Sequence, residues 1–292
     1  MTNQETAFSD GEQSLVSSFL RLVELADPYY QNCHQQVLQL TEPGHPWRLA
    51  TSQSEFGFEA VAVASNLIQA SANSLLSLKF LTFGTPEMKS ESELTQNVRV
   101  TLNGTAGLIR QMLENAAFAF WLLSSTNLEE LNERGFAAVW WNAGESRRYH
   151  DAIGSLDVHL VRSRYESLRN QGQALGLFTT DSSGEISKEP RVRLSDVCGI
   201  LRHVEVALDV PQGDARIYLG SNFLNAEWTY RWLSGYTHGA VWVNGYSDAE
   251  GLQVVQPDWF RNTHSLLVAH QVLERAVGLL SCPKSTLWTQ ES

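Results

Sequence analysis

The sequence predicts an all-α protein, a multi-helix bundle, and three observations carry that reading. Apolar residues recur at three- and four-residue spacing along most of the 292-residue chain. The breaks between these stretches are turns rich in Pro and Gly, such as Glu42-Pro-Gly-His-Pro46, Gly84-Thr-Pro86 and Pro211-Gln-Gly-Asp214. Period-two alternation is confined to short excursions. That leaves roughly seven to nine helices in one all-α domain over residues 1–292.

In order, residues 1–11 read as a frayed tail. Leu15, Val16, Phe19, Leu20, Leu22 and Val23 then keep helical spacing up to Asp27-Pro28, and a second helical piece runs from Tyr29 to Leu40. Phe56 to about Leu81 is a long Ala-rich amphipathic helix, with Val61, Ala64, Ile68, Leu75 and Leu78 on its apolar side. A polar connection, Met88 to Gln96, leads to a strongly apolar helix over 103–123 that carries Leu108, Ile109, Met112, Leu113, Phe120 and Trp121. Leu128 to Tyr149 follows as a helix with Phe136, Val139, Trp140 and Trp141 inward. Its charged end, Glu145-Ser-Arg-Arg-Tyr-His-Asp151, reads as a solvated helix terminus.

Leu156 to Leu175 is helical again, with Arg162, Arg164 and Arg169 spread around it. Residues 178–192 are the clearest break, an exposed loop or small hairpin with its tip at Asp181-Ser-Ser-Gly184. Ser195 suits the N-cap of a helix through Ala207. The 222–238 stretch is a helix expected to sit centrally against the 103–123 helix, because both are apolar nearly all round. Residues 241–256 alternate around a polar turn, an extended or hairpin excursion. Pro257-Asp258 opens the last helix, from Trp259 to Leu280.

Composition narrows the function classes. Hydrophobic residues make up 43% of the chain and include nine Trp, which is the profile of a folded protein. A formal charge of −11 disfavours broad, non-specific nucleic-acid binding, though a small basic site survives that balance. The start, Met1 to Gln13, has no basic segment ahead of an apolar run, so no signal peptide is expected. The longest apolar run, Ala116 to Leu123, is far short of a membrane span. Three scattered cysteines, Cys33, Cys198 and Cys282, read as reduced thiols in a cytoplasmic protein.

Several chemistries lack their motifs. GxGxxG, GxxxxGKS/T and HExxH are missing, and the eight histidines are scattered, so neither metal nor cofactor is expected. Glu42-x-x-His45 lies in a Pro-Gly turn, where it cannot supply the helical carboxylate pattern of a di-metal bundle. Gly235-Tyr-Thr-His-Gly239 follows no strand and so makes no nucleophile elbow.

What remains is one polar stripe on a greasy helix. Glu227, Arg231, Ser234 and His238 stand at i, i+4, i+7 and i+11, on one face. On the 103–123 helix, Arg110 and Glu114 sit one turn apart. Their order, Arg before Glu, is the weaker one for a local helical pair. They read either as a snorkelling Arg with a surface Glu or as partners of the 227–238 stripe.

Arg231-x6-His238 on a helix resembles the Arg-x(4–6)-His motif of HEPN-like helical proteins. The wider pattern, an Arg110-x3-Glu114 helix followed by Tyr230-x2-Leu233-Ser234-x3-His238-Gly239, resembles uncharacterised bacterial, especially actinobacterial, domain families. The resemblance covers roughly residues 100–280. Active HEPN proteins are metal-independent RNA endonucleases, often dimeric, and other members are non-catalytic. The resemblance therefore implies RNA as a partner and a homodimer as the assembly. In the active pattern the residue after the Arg is small and polar, whereas here it is Trp232.

Under the catalytic reading, His238 acts as general base on a ribose 2′-hydroxyl or as acid to the leaving oxygen. Arg231 stabilises the charge developing on phosphorus, and Glu114 or Glu227 orients one of them. Two other readings use the same residues. Arg110, Glu227, Arg231, Ser234 and His238 can form a buried structural network, or the Trp-rich interior can accept a ligand or a partner helix.

Overall fold

The computed structural model describes residues 10–84, 102–180, 186–192, 197–202, 204, 226–237 and 259–282. It is an all-α multi-helix bundle with one short antiparallel ribbon. The helices are α1 (Asp10–Glu24), α2 (Ala26–Gln39), α3 (Pro46–Ala50), α4 (Gly57–Phe83), α5 (Leu102–Leu123), α6 (Leu128–Ile153) and α7 (Val158–Ala174), then α8 (Val197–Leu201), α9 (Ala226–Thr237) and α10 (Trp259–Ser281). Between α7 and α8 lie β1 (Phe178–Thr180) and β2 (Ile186–Pro190). Two compact units are evident. One holds Met1–Gln35, Ile68–Ala117 and Val197–Arg275, and the other Gln36–Leu67, Phe118–Asp196 and Ala276–Ser292.

In the first unit the apolar face read from the sequence is the buried one. Ile68, Ala72, Leu75 and Leu78 of α4 are fully buried or nearly so, as are Ile109, Met112 and Leu113 of α5. Ser71 donates to the Met112 carbonyl at 2.7 Å, satisfying a hydroxyl inside that core. By length and composition α4 is able to cross a membrane, and half of its most apolar window is buried within the protein. Further polar ties fasten α10 to the N-terminal helices. Thr263 donates to the Leu15 carbonyl at 3.2 Å, and the phenol of Tyr29 donates to Glu274. His270, buried beside them, has Nε2 3.2 Å from the Leu22 carbonyl and its ring edge-on to Tyr29. Burial lowers its pKa from 6.5 to about 4.

The second unit is built around aromatic rings. Phe56, Phe136, Leu168, Leu177 and Phe178 form its core cluster, with Val139, Trp140 and Ala143 packed against it. Two glycines make the approach possible. A Cβ on Gly135 would fall 2.1 Å from the Phe56 carbonyl oxygen, and one on Gly172 would fall 2.2 Å from the Phe136 ring. Asn132 accepts from the Phe56 amide and from Ser54 Oγ, both at 2.8 Å, and so organises the start of α4. Helix α6 begins with Asn127 capping the Glu130 amide at 2.8 Å, while Glu130 reaches back to the Thr126 amide at 2.7 Å. It ends at Gly154, whose left-handed backbone (φ 60°) turns the chain into α7. Buried Trp47 donates its indole N–H to the Leu279 carbonyl at 3.1 Å.

Residues 178–192, read as an exposed loop or small hairpin, include a small antiparallel hairpin ribbon whose base is buried in the core. Phe178 sits edge-on to both Phe136 and Trp140. Trp141, read as inward, is exposed. Positions 136, 139, 140 and 143 already fill the core-facing stripe of α6, and position 141 lies about 100° around the helix from Trp140. Trp228 is likewise exposed on α9. The tail at 1–9, the hairpin tip at 181–185, Ser195 and the 241–256 excursion lie outside the described residues.

Candidate functional site

Helix α9 carries the stripe, and its burial pattern decides what the stripe meets. Ala226, Thr229, Trp232, Leu233 and Gly235 are buried, whereas Trp228 and Arg231 are exposed. The helix is therefore one-sided, and Arg231 lies on its wet side with 56% of its side chain accessible. The expectation of a buried stripe is overturned for this residue. Trp232 and Leu233 take the inward positions, which turns the 227/231 edge toward water.

On that edge Arg231 forks onto Glu227, with Nε and Nη2 donating to Oε1 at 3.0 and 2.7 Å. Glu precedes Arg by four residues, the favourable order for a helical pair. Arg202, just after α8, makes a second fork onto the same carboxylate, Nε to Oε2 at 2.8 Å and Nη2 to Oε1 at 3.0 Å. These bonds, Arg202 first and Arg231 next, lower the Glu227 pKa from its ordinary value to about 2. Glu227 in turn raises that of Arg231, reinforced by Cys198. Glu227 is thus the shared anion of two arginines, and it ties α9 to the segment after α8.

A second cluster joins α5 to α9 one face away. Arg110 donates to Thr237 Oγ1 at 2.9 Å and to Tyr230 Oη at 3.1 Å, with its guanidinium carbon 5.3 Å from the Tyr230 ring centroid. Thr237 passes its own proton to the Ser234 carbonyl at 3.0 Å, so its hydroxyl both accepts and donates. Glu114 stands 3.9 Å from Arg110 Nε. Near this contact, a Cβ on Gly107 would touch Thr237 at ordinary van der Waals distance, so the two helices run close there. Of the expected packing between the 103–123 and 222–238 stretches, the described part, α5 against α9, is present.

The candidate residues therefore divide into two constellations. Arg231 and Glu227 belong with Arg202, whereas Arg110 and Glu114 belong with Tyr230 and Thr237. Ser234 takes part through its backbone carbonyl, and His238 lies outside the described residues. Sequence reasoning missed Arg202, which falls within the helix read from Ser195 to Ala207 but whose partner Glu227 lies 25 residues away, and it read Tyr230 as part of an apolar surface. Among the described residues no group of three or more His, Cys, Asp or Glu side chains is arranged to hold a metal ion.

No protein-family model, curated protein or solved structure matches this chain.

Proposed function

We propose that the chain is a non-catalytic helical binding module, in which the Glu227 and Arg110 clusters hold α5, α8 and α9 in register. The observation that carries this reading is the engagement of Arg231. An arginine that serves a phosphoryl transition state must keep donors available for oxygens whose charge grows during reaction. In α9 the Glu227 carboxylate already takes Nε and Nη2 of Arg231, and its negative charge opposes a phosphate placed there. Of the two acids assigned to orient the site, Glu227 holds Arg231 and Glu114 lies beside Arg110.

Trp232 supports the same reading. The position that is small and polar in active HEPN proteins is here a buried indole, 3% exposed, with Arg261 lying 5.7 Å over its ring. That residue serves packing and offers nothing to a substrate. The RNA endonuclease remains the alternative, and the assay that separates the two is direct. Labelled single-stranded and hairpin RNAs are incubated in EDTA with the wild type and with folded His238→Ala and Arg231→Ala variants. The binding-module reading expects no cleavage above background from any of the three. Metal-independent cleavage by the wild type that disappears in both variants would overturn it in favour of the HEPN-like nuclease.

A further inference from the structure

The turn between α6 and α7 exposes apolar side chains at an unusual density. Tyr149, Ile153, Leu156 and Leu160 all fall within residues 149–160 and all are largely accessible, Leu156 at 93%. Single exposed leucines are ordinary surface, but a cluster at the end of a helical hairpin marks a contact site. Beside it lies a cavity of about 200 Å³ lined by Arg147, Asp151, Arg162, Tyr165, Glu166 and Arg169. The charge cluster read from sequence as a solvated helix end thus forms one wall of a concave site.

The wall is well supported. The Tyr165 ring stacks on Trp140 at 4.2 Å between centroids, and the Arg147 guanidinium lies 4.2 Å from the Tyr165 centroid. Arg162 donates to Asp151 Oδ1 through Nε at 3.1 Å and Nη2 at 2.8 Å. Arg147 and Arg169 make no hydrogen bond or ion pair among the described residues, so their donors are open to a ligand. Drug-sized ligands occupy pockets of roughly 300–1,000 Å³. This smaller cavity suits a single anionic group such as a phosphoryl headgroup. Residues 145–169 hold five arginines against four carboxylates, a local positive balance in a chain whose net charge is −11, with Glu145 paired to Arg148 and Asp151 to Arg162.

We propose that the α6–α7 tip docks on the surface of an anionic phospholipid bilayer. Ile153, Leu156 and Leu160 enter the acyl boundary while Arg147 and Arg169 take phosphoryl headgroups at the cavity, with Arg162 held against Asp151. The spacing fits the layer. Arg147 precedes Ile153 by six residues, about 9 Å along the helix. The headgroup zone on each side of the hydrocarbon is about 5–8 Å deep, within reach of a snorkelling arginine. Charge complementarity selects the bilayer over a second copy of the chain. Two tips meeting would bring like-charged arginine clusters together, whereas an anionic surface neutralises them. This supplies the partner of the proposed binding module and rests on that reading. It shares no residue with the Glu227 cluster, so vesicle binding fails or succeeds independently of the RNA assay.

The test uses the full chain and sedimentation with vesicles of phosphatidylcholine alone or mixed with phosphatidylserine. Wild-type protein is expected to pellet only with the mixed vesicles, and less as salt rises. Leu156→Gln, at a position too exposed to affect folding, should weaken binding roughly tenfold or more. Arg147→Gln and Arg169→Gln should each weaken it about fivefold. Inorganic phosphate added at millimolar concentration should leave vesicle binding largely intact. Equal sedimentation with both vesicle types, or with neither, would overturn the proposal. So would an unaffected Leu156→Gln variant whose binding is abolished by inorganic phosphate, which would assign the cavity to a free anion. A wild-type dimer that Leu156→Gln dissociates, without vesicle binding, would assign the tip to self-association.

Discussion

Acidification from pH 7 to pH 4 is expected to weaken the fold by about 3 kcal/mol through one side chain, His270. Its ring is 3% exposed on α10 and meets the Leu22 carbonyl through Nε2, which must carry the proton because a carbonyl only accepts. Nδ1 is then a bare lone pair with no partner among the described residues, so a second proton would find no acceptor among them. The neighbours do not welcome a cation either. The Tyr29 ring stands edge-on at 4.8 Å, and the Tyr29 phenol already occupies Glu274. Burial, reinforced by Glu274, raises the Tyr29 pKa above its ordinary value, and burial pushes the Cys33 thiol up to about 11.

A histidine whose folded pKa lies below its unfolded value binds fewer protons when folded. Stability is therefore full above 6.5, falls as pH drops toward 4, and levels off below that. At ~1.4 kcal/mol per pH unit, the window from 6.5 to about 4 amounts to about 3 kcal/mol. The measurement is urea unfolding of the wild type and a His270→Gln variant at steps from pH 7.5 to 4. Glutamine keeps a donor for Leu22 and cannot titrate. The wild-type-minus-variant difference should shift against the wild type by about 3 kcal/mol across that range. A difference constant with pH, or a folded-state ring titration near 6.5 by NMR, would refute the reasoning.

Other substitutions test the faces and clusters. Trp232→Ala should cost about 3–5 kcal/mol in urea unfolding, while Trp228→Ala, at a site 53% exposed, should stay within about 0.5 kcal/mol; equal costs would contradict the orientation of α9. Gly135→Ala should destabilise by about 1–3 kcal/mol or more, because the new methyl meets the Phe56 carbonyl. Gly144→Ala, whose methyl meets only Tyr165 at 3.9 Å, should be neutral or stabilising. Arg110→Met strands Tyr230 Oη and Thr237 Oγ1 and should cost about 1–3 kcal/mol by thermal or urea unfolding. Glu227 has a lowered folded pKa, so its contribution is present above pH 4.5 and is lost as pH falls from there toward 2. A Glu227→Gln variant should lack that acid-dependent loss in a pH series.

Much of the helical framework was legible because its signal is local. The period of Val61, Ala64, Ile68, Leu75 and Leu78 predicts the core face of α4, and those residues are buried. Gly84 and the Pro257-Asp258 step predict where α4 stops and α10 starts to within a residue or two. The Glu227–Arg231 pair was legible for the same reason, since four residues on a helix bring the two side chains together. The charge cluster at 145–151 was visible too, but a helix end rich in arginines does not reveal that a second helix folds back to complete a cavity with it.

By itself, then, the sequence determined the helical class, most helix extents and the i, i+4 ion pair, because each follows from backbone periodicity and near-neighbour chemistry. Only the tertiary structure decided which side of α9 faces water, since a helix with apolar residues nearly all round has no unique inside until its neighbours pack. It alone brought Arg202 to Glu227 and Arg110 to Tyr230 and Thr237, at separations of 25, 120 and 127 residues. It alone exposed Trp141 and Trp228 while burying Trp232. Contacts at such separations depend on how whole helices are placed, and no spacing rule within one helix encodes that placement.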